Sequence, residues 1–230
     1  MISETFDRPG ASGEAACSPG TRMTRSLLGY GAAAGPFYVL VVLGQALVRP
    51  GFNLIHDDAS LLSNGSLGWI QVANFLLTGL MVLACAAGVR RALAGGRAGT
   101  WGPILLGLYG LGLIGAGIFV ADPMGGFPPG TPAGRPTSTS LHAILHIVSA
   151  AIGFFGFAAA CLVIAQRFAR ERRRTRAWGS RLTAILFLAG FAGIASGSDS
   201  AVVVLGFWVA LLIAWGWLAA LAITLYREVA

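Results

Sequence analysis

The sequence predicts an all-α, polytopic membrane protein built as a six-transmembrane-helix bundle. Three observations carry that reading. The 230 residues are 56% hydrophobic and only 11% charged, where soluble domains carry roughly 25% charge. The apolar residues gather into six runs separated by short polar loops. The arginines fall almost entirely in alternate loops, the charge asymmetry that orients membrane helices.

Residues 1–25 are rich in Gly, Ser, Glu, Pro and Arg and read as a disordered cytoplasmic tail. Residues 26–227 form the six-helix transmembrane domain. Its apolar runs lie at about 27–48, 69–89, 102–121, 141–164, 182–198 and 201–226. Most reach the ~20 residues that cross ~30 Å of hydrocarbon. The fifth is short and glycine-rich, and the turn Gly197-Ser-Asp-Ser200 joins it to the sixth as a tight helical hairpin. No apolar segment precedes Cys17, so neither a lipoprotein signal nor a cleavable signal peptide is expected. The three cysteines, Cys17, Cys85 and Cys161, form no disulfide framework.

All 16 basic residues are arginine, and the net charge is +7. Arg8, Arg22 and Arg25 lie in the tail, and Arg90, Arg91 and Arg97 in the second loop. Arg167, Arg170, Arg172, Arg173, Arg174, Arg176 and Arg181 lie in the fourth, and Arg227 near the C-terminus. Only Arg49 and Arg135 fall on the other side. Both termini are therefore expected in the cytoplasm of a bacterial inner membrane. Arginines dispersed in interhelical loops form no folded basic face, which argues against nucleic acid. They suit the lipid bilayer instead, with anionic headgroups at the arginine-rich cytoplasmic loop.

Small residues recur at a spacing of four: Gly31 and Gly35; Gly112 and Ala116; Ala189, Gly193 and Gly197. That spacing lets helix backbones approach closely in lipid. No ionisable side chain falls in the middle of a run, which argues against a proton relay.

All three histidines, His56, His142 and His146, fall on the outer side, with Asp57, Asp58, Asp122 and Asp199. His142 and His146 are four apart at the start of the fourth helix and share a face. Ser149, Gly153 and Gly156 continue that face, so it is expected to turn toward the bundle. Leu145, Ile147, Val148 and Ile152 would then meet lipid. Two imidazoles at this spacing can grip one metal, with His56 as a third ligand and zinc or another divalent ion as cofactor. Asp57 or Asp122 would serve as general base. The same residues equally suit a hydrogen-bonded polar brace for the outer loops. Those loops, Arg49–Ser60 and Asp122–Pro132, mix Pro, Gly and charge with Phe127 and Met124, and could form a lid or a rigid cover.

One resemblance runs along the chain. Pro50-Gly-Phe-Asn, His56-Asp-Asp, Ser60 and Gly68-Trp-Ile-Gln-Val-Ala-Asn-Phe-Leu-Leu-Thr-Gly79 carry it. So do Gly88-Val-Arg-Arg91, Gly117-Ile-Phe-Val-Ala-Asp-Pro123 and His142. Over about residues 28–226 the sequence resembles a bacterial and archaeal membrane family catalogued as domain of unknown function 998. The resemblance implies six membrane helices and supplies no activity. A looser similarity, by analogy only, is to membrane-embedded zinc hydrolases of the ceramidase and adiponectin-receptor type, which have seven helices.

Three functions fit these residues. One is a metal-dependent membrane enzyme acting on a lipid or apolar substrate. Another is a non-enzymatic sensor, assembly factor or small transporter subunit in which the His/Asp cluster is a brace. The third is an acid-initiated isoprenoid cyclase using Asp122 beside Trp208, Trp215 and Trp217.

Overall fold

The computed structural model describes residues 18–93, 95–134, 136–198 and 200–229. These form six α-helices: α1 (Pro19–Val48), α2 (Gly68–Ala92), α3 (Gly96–Ile118), α4 (Leu141–Arg170), α5 (Arg174–Ala195) and α6 (Ala201–Glu228). A short 3-10 turn, Ala59–Ser63, precedes α2. All six helices are long and apolar enough to cross a membrane. Helices suit that setting because every backbone polar group can be satisfied within its own segment.

The helices outrun the apolar stretches at their arginine-bearing ends. α1 starts at Pro19, within the segment assigned to the tail, where Ser18 caps it by accepting the Thr21 N–H. The rest of that segment, residues 1–17 with Cys17, lies outside the described residues. α5 starts at Arg174, eight residues before its apolar run. Hydropathy marks only the part of a helix that sits in hydrocarbon, and the helix continues into the headgroup zone. α3 stops at Ile118, short of the run's end; Asp122 precedes Pro123, and a pre-proline residue disfavours helix.

Each helix packs on its neighbours in sequence, and α6 closes on α1, so the six form a ring. Small residues set the closest approaches. A Cβ on Gly112 would lie 2.6 Å from the Gly153 Cα, so α3 and α4 touch backbone to backbone there. Gly31 packs against Cys85 and Ala222, and Gly35 against Trp215. The ring's centre is aromatic: the Tyr109 centroid lies 4.8 Å from Phe157, 5.6 Å from Trp215 and 6.3 Å from Phe187. Cys85 and Cys161 are free and buried.

The two ends of the ring differ. At the arginine-rich end the guanidinium groups staple helices together. Arg25 donates to the Val229 carbonyl (2.7 Å), Arg91 to the Thr24 hydroxyl (3.0 Å) and Arg90 to the Gly99 carbonyl (2.6 Å). Arg173 pairs with Glu228, which joins the start of α5 to the end of α6. At the opposite end, the α1–α2 and α3–α4 loops close over the ring as a cap. Phe127 is fully buried there, edge-on to Phe52 at 5.3 Å.

Candidate functional site

α4 carries His146 into the ring, while Ile147, Val148 and Ile152 point outward, as the spacing predicts; Leu145, expected with them, is half-buried. His146 meets the C-terminus of α3. The last carbonyls of a helix have no intrahelical donor, and the His146 Nδ1 lies 3.0 Å from the Ala116 oxygen and 2.7 Å from the Phe119 oxygen. Carbonyls only accept, so Nδ1 carries the proton. In the neutral ring Nε2 is then the acceptor, and the Ser60 hydroxyl donates to it at 3.0 Å. One imidazole thus ties α4 to the end of α3 and to the 3-10 turn of the cap.

His142 departs from expectation. It is exposed, resting edge-on against Phe119 at 5.9 Å. It lies in the first turn of α4, on the exposed side with Leu141, whereas Ala143 of the same turn is buried. His56 is also exposed, in the α1–α2 loop. Among the described residues, no three His, Cys, Asp or Glu side chains come together in a group that could hold a metal.

The two carboxylates expected to act as bases are engaged in the loops. Asp57 is buried and its Oδ2 accepts the Asn53 N–H at 2.7 Å, while its own N–H returns to the Asn53 carbonyl. Burial pushes its carboxyl above the ordinary carboxylate range; the Asn53 N–H opposes this, Asp58 adds to it and His56 opposes it. Asp122 Oδ2 accepts the Ser140 N–H at 2.8 Å, and the Ser140 hydroxyl in turn caps α4 by accepting the Ala143 N–H. Asp58 caps the 3-10 turn through the Ser60 N–H. Asp199 and Arg135 lie outside the described residues.

Beneath the cap is a cavity of about 40 Å³. Ser60 and His146 form its polar corner, and Tyr38, Phe75, Phe154 and Trp215 are among its walls. Tyr109 and Trp215 also line it, and the Tyr109 hydroxyl and Trp215 indole N–H are buried with no partner. Neither Asp57 nor Asp122 lines it. Of the three tryptophans in the cyclase reading, Trp215 lines this chamber and Trp208 and Trp217 do not.

Two features escaped the sequence reading. Ser60 received no role, because its partner lies 86 residues away and neither residue's local pattern announces the other. A buried polar ladder also crosses from α1 to α2. Gln45 donates to Gln71 (2.8 Å), Asn74 to Gln71 and to the Tyr38 carbonyl (both 3.2 Å), and Thr78 to Asn74 (3.2 Å). Its signal was present: Gln71, Asn74 and Thr78 fall on one helical face within an otherwise apolar run.

No curated protein and no solved structure matches the chain. The ladder, the His146 brace and the helix ends that meet at the cap all fall within residues 32–224, and that span matches the family described as "Protein of unknown function (DUF998)", to which the chain belongs.

Proposed function

We propose that the protein is a multi-pass component of a bacterial cytoplasmic membrane in which His146 is a structural brace rather than a metal ligand. The brace holds a cap over a small aromatic chamber. The observation that carries this is the saturation of the His146 ring: Nδ1 serves two carbonyls and Nε2 serves Ser60. A metal would have to displace one of these bonds, and His56 and His142, its intended partners, are exposed.

The arginine bias supports a cytoplasmic position for both termini and an outward-facing cap. Exposed Arg170, Arg172, Arg174 and Arg176 crowd the opposite end, where anionic lipid headgroups would neutralise them. A capped, outward chamber in a small membrane protein suits a sensor or an assembly component more closely than a metallohydrolase.

The test combines metal analysis with melting. Protein purified without chelator should contain no stoichiometric zinc or iron. His146→Ala should lower the melting temperature, with a cost of about 1–3 kcal/mol for stranding buried polar partners. His56→Ala and His142→Ala should stay within about 0.5 kcal/mol of the parent. One zinc per chain, lost in all three variants, would overturn the reading.

A further inference from the structure

The brace has a chemical consequence at its far end. The Ala116 and Phe119 carbonyls place a proton on Nδ1, so in the neutral ring the Nε2 lone pair faces the Ser60 hydroxyl. A serine whose proton is held by an oriented neutral histidine is an activated nucleophile. The usual orienting carboxylate is here replaced by two backbone oxygens. Ser60 is itself held firmly: Asp58 accepts its N–H at 2.8 Å, and the Ser63 hydroxyl donates to its carbonyl at 2.7 Å.

Ser60 and His146 both line the capped chamber. Tyr109 and Trp215, 1% and 3% exposed, line it too, each with a buried donor that no protein group satisfies. Both side chains form part of the chamber wall, and their donor atoms are buried within it. A nucleophile–base pair set among apolar walls is the core of an acyl-transfer site.

We propose that Ser60 is a nucleophile toward short-chain acyl esters, with His146 as its general base. This rests on the capped-chamber reading above. Ser60 Oγ bonds to the ester carbonyl carbon while its proton passes to His146 Nε2. The bond to the leaving alkoxide breaks, and His146 returns the proton to it. Water, deprotonated by the same nitrogen, then adds to the acyl-serine carbonyl; the bond to Ser60 Oγ breaks, Oγ takes the proton back from Nε2, and a carboxylic acid leaves. The acyl group is short because the chamber, at about 40 Å³, has space for only a few water-sized groups.

The full-length protein in detergent is treated with methanesulfonyl fluoride, a serine-reactive electrophile of only a few heavy atoms, and adducts are mapped by mass spectrometry. One adduct per chain is expected on Ser60, absent in Ser60→Ala and forming about 100-fold more slowly in His146→Gln. Methyl acetate should be hydrolysed in preference to methyl octanoate. Should His146→Gln fail to fold, Ser60→Cys supplies a second readout: the introduced thiol should react with iodoacetamide faster than buried Cys85 and Cys161. A folded parent that gives no Ser60 adduct overturns the proposal, as does an adduct rate unchanged by His146→Gln. Melting separates the two readings. A lowered melting temperature in His146→Ala without any Ser60 adduct leaves the brace standing and removes the nucleophile. An adduct with unchanged melting does the reverse.

Discussion

The guanidinium of Arg49 lies 5.0 Å from the centre of the Phe127 ring, joining the first loop of the cap to the second. Arg49 is 7% exposed and also donates to the Leu62 and Asn64 carbonyls. One side chain therefore fixes three separate points of the cap. Burial lowers its affinity for the proton relative to an ordinary guanidinium, yet arginine stays charged at neutral pH. Among the described residues the cation is held by carbonyl dipoles and an aromatic face. Arg49→Lys keeps the charge and loses the planar fork. It should cost about 1–3 kcal/mol, the worth of one charged hydrogen bond and the ring contact. A detergent melt checks this, and protease nicking within residues 49–67 should rise in parallel.

The approach of α3 to α4 gives a second prediction. Gly112→Ala places a Cβ 2.6 Å from the Gly153 Cα and 2.7 Å from the Ser149 carbonyl oxygen. All of these are backbone atoms that cannot rotate aside, so the helices must separate. The expected cost is about 1–3 kcal/mol, the usual range for overpacking. Gly107→Ala, on the same helix, meets only the Leu83 Cδ2 at 3.9 Å and should be neutral or slightly stabilising. Melting temperatures that fall equally in both variants would mean that helix propensity, not interhelical distance, governs the effect.

The polar ladder predicts a graded response. Gln71 accepts from both Gln45 and Asn74 (2.8 and 3.2 Å) and is fully buried. Gln71→Leu takes one acceptor from each donor, while Gln45 keeps the Val41 carbonyl and Asn74 that of Tyr38, and should cost about 1–3 kcal/mol. Thr78→Val, at the end of the ladder, removes one bond to Asn74 at 3.2 Å and should cost about 1 kcal/mol. The double variant should fall short of the sum, because both residues act through Asn74.

What could be read from sequence follows the range of the interaction. Helix existence is local: an apolar run of sufficient length in lipid has no alternative to helix, and all six runs became helices. The face of α4 was also local, because His146, Gly153 and Gly156 share a stripe and are buried together. His142 shares that stripe by spacing, but its burial depended on where the α3–α4 loop travels, and a loop's path is not written in helical periodicity. The pairing of Ser60 with His146 joins a 3-10 turn to a helix beginning 78 residues after that turn ends. The small residue at Gly112 was visible, while Gly153 as its partner required the ring order.

Asp57 provides a test by pH. Its carboxyl is raised above the ordinary value, chiefly by burial, so the folded cap favours the neutral acid. The contribution of that preference is fully present below the unfolded value of roughly 3.9 and is lost as pH rises through the raised folded value. Asp57→Asn cannot ionise, and its amide oxygen can still accept the Asn53 N–H now held by the carboxylate at 2.7 Å. The variant should therefore gain on the parent as pH rises from about 4 to about 7. Melting temperatures of the two proteins, measured across that range, should diverge in the variant's favour. Parallel curves would show that the folded cap imposes no penalty on the carboxylate. A divergence of opposite sign would show that the Asn53 N–H outweighs burial, and Asp57 would then act as an anionic clamp on the first loop.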